Sequence, residues 1–190
     1  MTTILLIGGH AGVGKTTLAR HIAKHAHAAL IDKDSATRAL VDVLMGELTG
    51  DPGDRYSAEY LYRVRTPEYD CMLAVALDIA ENGVHAVVVA PLLQEITNDG
   101  WMRSFTRKCD ERGFTVKTLW VDRPESGEHR RRLTNRGAER DMWKLENWDE
   151  FEESLHVQPL RTVTRISTEG VGLDGMDDLA QRVTRHMFRG

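Results

Sequence analysis

The sequence predicts an α/β fold of three layers, in which helices cover both faces of a parallel β-sheet. Short apolar runs alternate along the chain with longer segments of helical periodicity, and this alternation implies right-handed crossovers between parallel strands. The chain has 190 residues, of which 41% are hydrophobic and 28% charged, as in ordinary globular proteins. A chain of this length and composition is expected to form one domain with a buried hydrophobic core.

The strands are predicted from apolar and β-branched runs. Ile4–Ile7 is continuously apolar, as expected for a parallel strand that is covered on both faces. His85–Ala90 contains three consecutive valines, which fit a buried pleated surface. The predicted strands, in chain order, are Ile4–Ile7, Ala29–Ile31 ending on Asp32, His85–Ala90, Phe114–Val121 and Val163–Ser167.

The helices are predicted where apolar residues recur at spacings of three and four. Leu18, Ile22 and Ala26 follow this spacing in the first helix, and Asn82-Gly83 is a typical helix C-terminus. The predicted helices are 16–28, 35–45, a segment from Pro67 to residue 82, 101–112, 126–135 and 176–188, and a loop is predicted at Gly46–Asp54.

Composition disfavours several classes of protein. There are 25 basic and 29 acidic residues and the isoelectric point is near 6.1, whereas nucleic-acid-binding domains usually have values above about 9. The longest apolar stretch, Ala86 to Leu93, is much shorter than the roughly 20 residues of a membrane helix. The N-terminus lacks a basic region and a cleavage site. Cys71 and Cys109 lack metal-binding or redox spacing. We therefore expect a cytoplasmic protein that is a monomer or a homodimer, with no membrane partner and no nucleic acid.

A glycine-rich motif follows the first predicted strand and precedes the first predicted helix. It matches G-x-x-x-x-G-K-[ST], and this strand–turn–helix context is the one in which the motif binds polyphosphate. Glycines allow a tight turn whose N–H groups point inward, and the helix N-terminus adds positive partial charge. The predicted phosphate-binding residues are Gly9, His10, Ala11, Gly12, Val13, Gly14, Lys15, Thr16 and Thr17. ATP and Mg²⁺ are the expected cofactors, with Lys15 on the phosphates and Thr16 as a magnesium ligand.

Two aspartates follow the second predicted strand, at the sheet edge where ligands bind in open α/β sheets. Asp32 or Asp34 could accept a proton from an attacking hydroxyl group or help to hold the metal ion. Alternatively, Asp34 caps a helix that begins at Ser35, and Asp32 simply ends the strand. Arg38 lies one helical turn after Asp34, where it forms either a salt bridge or a clamp for substrate or phosphate.

Three arginines recur at a spacing of four: Arg132, Arg136 and Arg140. On one helix they would lie near one face and repel each other, so this arrangement favours an anion between them. Arginines on a mobile flap stabilise the charge of a transferring phosphoryl group and exclude water. The alternative is a solvated helix whose arginines pair with neighbouring acidic residues.

Aromatic and basic residues are concentrated between the second and third predicted strands. Tyrosines offer a flat face and a hydroxyl group, and arginines offer a fork for phosphate or carboxylate. The alternative is helix packing and surface charge. The residues predicted to contact an acceptor substrate are Asp32, Asp34, Arg38, Tyr62, Arg63 and Arg65.

The glycine-rich motif, the Asp32-Lys33-Asp34 segment with Arg38, and the run 132–141 with Lys144, Leu145 and Trp148 resemble a family of small P-loop kinases. These are the AAA-domain kinases related to chloramphenicol phosphotransferase, gluconate kinase and zeta toxin. The resemblance covers nearly the whole chain. It implies a five-stranded sheet in the order 2-3-1-4-5 and a short helical lid. The chain departs from many P-loop proteins at Val89-Ala90-Pro91, where an acidic magnesium ligand often stands.

The resemblance implies a single kinase domain over residues 1–190, with a lid at about 125–155 and an acceptor-binding insertion at about 46–70. It also implies transfer of the γ-phosphoryl group of ATP to a hydroxyl group of a small molecule such as a nucleoside, a sugar or an antibiotic. Lys15, Asp34, Arg132, Arg136 and Arg140 are then the catalytic residues, with Asp34 at the position of the family's base. Two alternatives are a kinase that acts on a nucleotide or a nucleic-acid end, and a nucleotide-binding regulator without an acceptor.

Overall fold

The computed structural model describes residues 1–138 and 141–188 of the chain. Its five strands form one parallel sheet in the order β2-β3-β1-β4-β5, which confirms the predicted fold and strand order. The strands are β1 (Thr2–Gly8), β2 (Ala29–Asp32), β3 (Ala86–Val89), β4 (Phe114–Val121) and β5 (Thr164–Ile166). All five therefore have their carboxyl ends at one edge of the sheet.

Eight helices connect and cover these strands in the described part of the chain. They are α1 (Lys15–Ala26), α2 (Lys33–Thr49), α3 (Arg65–Glu81), α4 (Asp99–Asp110), α5 (Ser126–Arg136), α6 (Met142–Glu146), α7 (Trp148–Glu153) and α8 (Leu173–Phe188). A π-helical turn, Tyr60–Val64, leads into α3. In the described residues, no helix has the length and apolar character needed to cross a membrane.

The core lies on both faces of the sheet, because successive residues of a strand point to opposite sides. On one face, Leu5 and Ile7 of β1 belong to an apolar cluster that includes residues of α1 and α8. On the other face, Ile4 and Leu6 belong to a cluster that includes residues of α3 and α4. All four side chains are completely buried. The three layers thereby fix the carboxyl edge of the sheet, where the functional residues gather.

Several helix boundaries differ from the prediction, and two of the differences have a clear physical reason. Helix α2 continues through Gly46 to Thr49, because Met45 is completely buried in a cluster with Tyr60 and Val64. That packing outweighs the roughly 1 kcal/mol cost of a glycine inside a helix. Helix α3 begins before Pro67, since a proline is tolerated in a first turn, where its missing N–H has no partner in the helix.

Candidate active site

The glycine-rich loop between β1 and α1 has the backbone conformation of a phosphate cradle. Gly12 has φ +80°, and a Cβ atom there would lie 2.7 Å from a side-chain carbon of Leu133, so only glycine fits. Gly14 has φ +91° and begins α1 without a side-chain cap. The first N–H groups of α1 have no partner within the helix, and such groups bind anions well.

Lys15 is the first residue of α1, directly after this loop, and is 9% exposed. Its Nζ donates a hydrogen bond of 2.5 Å to the backbone oxygen of His10. The pKa of Lys15 is lowered to about 7, first by burial and then by the positive charge of Arg136, and this value includes the opposing effects of Asp34 and Asp32. Lys15 therefore experiences the fields of the predicted lid and of both predicted acidic residues.

The lowered pKa of Lys15 predicts that nucleotide binding takes up a proton. A polyphosphate beside Nζ favours its charged form, so the pKa of Lys15 rises in the complex. With a pKa near 7 in the free protein, we expect uptake of about half a proton at pH 7 and close to one at pH 8. Affinity should accordingly fall as pH rises above 7.

Calorimetry of Mg-ADP binding in buffers of different ionisation enthalpy measures this uptake directly. Lys24→Met provides the matched control, because Lys24 is an exposed lysine on the same helix and should leave the proton count unchanged. Proton release, or uptake that does not depend on pH between 7 and 8, would contradict the expectation.

Asp32 connects the cradle to the next helix. The hydroxyl group of Thr16 donates to Asp32 Oδ2 at 2.9 Å, and the backbone N–H of Ser35 donates to Asp32 Oδ1 at 3.1 Å. Asp32 is therefore the N-cap of α2. The alternative in which Asp34 caps this helix is wrong, because α2 begins at Lys33 and Asp34 lies in its first turn.

Asp34 lies in the first turn of α2. Lys33 Nζ lies 3.5 Å from Asp34 Oδ1, and the Asp34 side chain is 36% exposed. The negative charge of Asp34 raises the pKa of Lys15, so the carboxylate lies within electrostatic range of the Lys15 ammonium. Asp34 is thus a partly exposed carboxylate near the glycine-rich loop.

Helix α5 covers the phosphate loop from the side of the predicted lid. The Nε2 atom of His129 is 2.6 Å from the backbone oxygen of Ala11, and His129 is completely buried. Arg132 donates to Val13 O at 3.3 Å and to Thr168 Oγ1 at 2.7 Å, and it pairs with Glu128. These contacts join α5 to the loop and to the segment after β5.

Arg136, in the segment predicted to form the lid, lies within electrostatic range of Lys15. It pairs with Asp141 through Nε at 2.7 Å, and Asp141 also accepts from Lys144 Nζ at 2.8 Å. Asp141 is completely buried, so one carboxylate holds two cations near the cradle. Helix α5 ends at Arg136, where Gly137 has φ +58°, and the three-arginine row is therefore not one helix. Arg140 lies outside the described residues.

A buried polar network lies on the opposite side of the cradle, between α2 and α3. Glu68 accepts from Lys33 Nζ at 2.9 Å, from Thr37 Oγ1 at 2.6 Å and from the Tyr60 hydroxyl at 2.8 Å. These hydrogen bonds and the nearby Lys33 charge lower the pKa of Glu68, although burial alone would raise it. Glu68 is therefore ionised at neutral pH.

Arg65 is buried and fully engaged within the protein. Its two terminal nitrogens donate to the two carboxylate oxygens of Glu95 at 2.8 and 2.9 Å, and its guanidinium lies 4.2 Å from the ring centre of Tyr69. Glu95 is 6% exposed and follows β3 at the carboxyl edge of the sheet. Arg65 thus lies at the predicted site, but its fork is occupied by a carboxylate of the chain itself.

The remaining predicted acceptor residues do not converge with this network. Arg38 and Tyr62 are exposed, and Arg63 is exposed and pairs with Glu59 at 2.8 Å. The insertion meets the lid elsewhere, where the rings of Tyr56 and Trp143 lie 6.2 Å apart. Their roles as substrate contacts stay predictions.

Several residues near the site had no predicted role, namely Lys33, Glu68, His129, Asp141 and Lys144. For Lys33, the sequence offered one signal, namely its position between two aspartates. Glu68 and His129 act through contacts between separate elements, which neither a motif nor a periodicity reveals. Asp141 and Lys144 form a local pair with Arg136, in line with the alternative in which the arginines pair with neighbouring acidic residues.

His10 extends from the loop away from the cradle into a buried environment. It is 5% exposed, its ring packs edge-on against Trp120 at 5.6 Å, and its Nε2 has no hydrogen-bond partner among the described residues. Burial lowers the pKa of His10 to about 4, and nearby positive charges act in the same direction. His10 is therefore neutral near pH 7, and its side chain stabilises the loop by packing.

The lowered pKa of His10 predicts acid sensitivity. An unfolded chain binds a proton at His10 near pH 6.5, whereas the folded chain does so near pH 4, so stability is lost as pH falls through this window. The shift corresponds to about 3 kcal/mol of unfolding free energy.

Urea unfolding of the wild type and of His10→Leu between pH 7 and pH 4 measures this free energy. We expect it to fall less steeply with decreasing pH in the variant. The matched control is His186→Gln, which removes an exposed histidine. Parallel pH profiles of all three proteins would refute this assignment.

Comparison with known proteins finds one matching family model and a set of solved structures with the same fold. A family model described as an AAA domain, AAA_33, matches residues 4–157. No curated protein matches the sequence significantly.

Solved structures with the same fold include several described as kinases. The APS kinase CysC from Mycobacterium tuberculosis, solved in complex with AMPPNP and APS, is 18% identical, covers 100% of this chain and 98% of its own, and has a TM-score of 0.61. A sugar kinase from Janibacter sp. HTCC2649 is 14% identical over 99% of this chain and 95% of its own, with a TM-score of 0.61. A gluconokinase from Sinorhizobium meliloti 1021 is 12% identical over 98% and 95%, with a TM-score of 0.55.

Proposed function

The chain belongs to the AAA_33 family of AAA domains, and from this premise we propose that it transfers the γ-phosphoryl group of ATP to a hydroxyl group of a small molecule. One observation carries the proposal. Lys15 Nζ bonds the glycine-rich loop at His10 O, and it lies within electrostatic range of the carboxylates Asp32 and Asp34 and of the cations Arg136 and Lys144. Phosphoryl transfer needs an acceptor base on one side of the phosphate and stabilising charge around it.

The loop binds the nucleotide in this proposal. The N–H groups at the start of α1 and the Lys15 ammonium hold the phosphates, which restores the full charge of Lys15. Arg132, which bonds the loop at Val13 and the segment after β5 at Thr168, fixes α5 over the same loop. The residues that bind the phosphates and the arginine that positions α5 therefore contact the same loop.

The chemistry of the oxygen donors beside the loop suits Mg²⁺. Thr16 and Asp32 present a hydroxyl and a carboxylate oxygen 2.9 Å apart, and oxygen atoms of this kind are the ligands that Mg²⁺ takes, usually together with water and phosphate. We assign these two residues to the metal, because β3 is followed by the buried apolar residue Ala90 instead of an acidic one. When bound, the ion supplies neutralisation of phosphate charge.

Asp34 activates the acceptor. Its exposed carboxylate accepts the proton of the acceptor hydroxyl as the new oxygen–phosphorus bond forms and the bond to the leaving ADP breaks. Arg136 stabilises the charge on the transferring group from the lid side, held in place by the buried Asp141. In this scheme the lid spans about residues 125–155 and the acceptor-binding insertion about residues 46–70 of one kinase domain.

The function is tested by incubating the purified protein with Mg-ATP and a panel of nucleosides, sugars and hydroxyl-bearing antibiotics. We expect one class of acceptor to gain the mass of a phosphoryl group, with one ADP formed for each product molecule. Formation of ADP alone, in the same amount with and without every acceptor, would contradict the proposal. Tight nucleotide binding without any phosphorylated product would instead favour a regulatory nucleotide-binding protein.

A further inference from the structure

A cavity lies between the ends of β4 and β5 and the segment that follows α7, next to the glycine-rich loop, and we call it the β4–β5 cavity. Its volume is about 170 Å³, more than ten times the roughly 10–15 Å³ that one water molecule needs. Its polar and aromatic lining residues are His10, Trp120, Asp122, Arg123, Gln158 and Arg165. In the sheet, β1 and β3 separate β4 from β2, so this cavity is remote from Asp34, which follows β2.

The β4–β5 cavity has a buried inner end and an exposed mouth. His10 and Trp120 are 5% and 2% exposed, and their rings pack edge-on at 5.6 Å. Arg123, Gln158 and Arg165 are exposed. A small molecule that enters between these exposed side chains therefore reaches a buried histidine ring.

The ring of His10 has an unused hydrogen-bonding atom. Its Nε2 is buried and has no hydrogen-bond partner among the described residues. Burial lowers the pKa of His10 to about 4, and a hydrogen bond to the backbone of Val157 acts in the opposite direction, as expected when a ring N–H donates to a carbonyl. The neutral ring has one N–H, and this bond places it on Nδ1. Nε2 then carries a lone pair, so the partner that it lacks is a hydrogen-bond donor.

The other polar residues of the cavity offer both acceptors and donors. Asp122 accepts from Arg165 Nε at 3.0 Å, and Arg165 also donates to Gln158 Oε1 at 3.1 Å. The carboxylate oxygens of Asp122 have further lone pairs, whereas Arg123 and Arg165 can only donate. A ligand that fits all of these groups needs donors and acceptors, and a hydroxyl group is both at once.

Charge narrows the class of ligand to neutral molecules. After burial, the positive charges of Lys15 and Arg123 are among the causes of the lowered pKa of His10, so an ammonium group beside this ring would be repelled. An anion would instead meet Asp122, which lines the same cavity, and Arg123 already has a carboxylate partner in Glu152 at 2.9 Å. A neutral molecule with several hydroxyl groups avoids both repulsions.

Going beyond the proposed phosphoryl transfer, we propose that the β4–β5 cavity is a second small-molecule site, which takes a neutral polyol whose hydroxyl group donates to His10 Nε2. Further hydroxyl groups bond Asp122 and the arginines of the mouth, and the carbon skeleton packs on Trp120. The backbone oxygen of His10 accepts from Lys15 Nζ at 2.5 Å. The polyol therefore binds to a residue of the glycine-rich loop that itself contacts Lys15.

The experiment follows the ring nitrogens of His10 by NMR while a polyol is added to the full chain. The probes are glycerol, erythritol, myo-inositol and glucose, titrated up to tens of millimolar, as an order of magnitude for weak sites. We expect at least one probe to bind with a Kd of about 1 mM and to shift the Nε2 resonance to lower frequency, because this acceptor nitrogen gains a hydrogen bond. If no probe moves this resonance, the cavity holds water only and the proposal is wrong.

Two variants test whether the probe binds in the cavity. His10→Leu removes the acceptor and should weaken binding about tenfold or more, the usual effect of one lost hydrogen bond. Gln158→Trp narrows the exposed mouth and should weaken binding as well, so the test stands even if His10→Leu fails to fold. The matched control is Gln181→Trp, the same change at an exposed glutamine of α8, which should leave the Kd unchanged. Wild-type affinity in both cavity variants would overturn the proposal.

Two comparisons distinguish the cavity from the proposed acceptor site and test the class of ligand. Asp34→Asn should leave the Kd unchanged, and loss of binding in this variant with retention in His10→Leu would overturn the proposal. Methylammonium, a cation with N–H donors, should bind about tenfold more weakly than the best polyol, and tighter binding of this cation would overturn the assignment to neutral ligands. No turnover is measured, so failure of the cavity proposal leaves the kinase proposal standing, and the reverse also holds.

Discussion

Replacing Lys15 by methionine is expected to reduce phosphoryl transfer by about a thousandfold. Lys15 Nζ is the cation at the centre of the phosphate cradle, and it lies in a buried site where a charge acts more strongly than in water. Methionine keeps most of the side-chain volume and stays buried, so the loop should fold. The expected loss is therefore one of phosphate stabilisation and not of structure. It is measured as the rate of ADP formation at saturating Mg-ATP, with an acceptor from the panel or with water.

The control for this substitution is Lys24→Met, which makes the same chemical change on an exposed residue of α1. Lys24→Met should unfold within about 1 kcal/mol of the wild type, as is usual for an exposed residue. Lys15→Met also removes the buried hydrogen bond to the His10 oxygen, at a cost of about 1 kcal/mol, and the removal of an amine whose pKa is lowered by burial offsets part of that loss. Wild-type turnover by the Lys15→Met protein would contradict the proposed role of Lys15 in stabilising the phosphates.

The parts of the site that lie close together in sequence were predictable. The glycine-rich loop works through backbone conformation and the helix that follows it, and both are properties of one continuous segment. The sheet order followed from the resemblance to small P-loop kinases, and the alternation of strands and helices is a local pattern as well. These features needed no knowledge of which distant residues meet.

The sequence alone could not decide which of the two aspartates caps α2. Asp32 and Asp34 are both favoured as helix caps, and a spacing of two leaves both alternatives open. The structure decides between them through the first residue of α2 and through the Thr16 hydroxyl, which bonds Asp32. Only the position of the helix start relative to the glycine-rich loop separates the carboxylate that we propose for the metal from the one that we propose for the acceptor.

The example of Arg65 shows that residue type alone does not tell whether a positive charge is available to bind an anion. An arginine in an insertion near a kinase site suggests an anion clamp, but its partner Glu95 lies thirty residues later in the chain. The two meet because α3 packs beside the turn that follows β3, and this is a tertiary contact. Local composition therefore favoured a clamp for phosphate or carboxylate, whereas in the folded chain the fork of Arg65 is occupied by Glu95.

Replacing Asp34 by asparagine is expected to lower kcat for phosphoryl transfer by roughly 10²- to 10⁴-fold, the usual contribution of a general base. Asparagine has nearly the same shape and can accept a hydrogen bond, but it cannot take the proton of the acceptor hydroxyl. Affinity for Mg-ADP should change little, because Asp34 lies on the acceptor side and Asp32 holds Thr16. The measurement is kcat against pH with any acceptor that the wild type phosphorylates, together with calorimetry of Mg-ADP.

The pH profile separates a base from a residue that only positions the substrate. A base gives an acidic limb in the wild-type profile that is absent from Asp34→Asn, and Asp34→Glu restores part of the rate because a carboxylate returns. Glu47→Gln is the matched control, since it changes an exposed carboxylate to an amide near the far end of the same helix α2. If Asp34→Asn kept the wild-type rate and the same acidic limb, the proton would have to be accepted elsewhere, and Asp32 would be the next carboxylate to test. A loss confined to KM would instead assign Asp34 to acceptor binding.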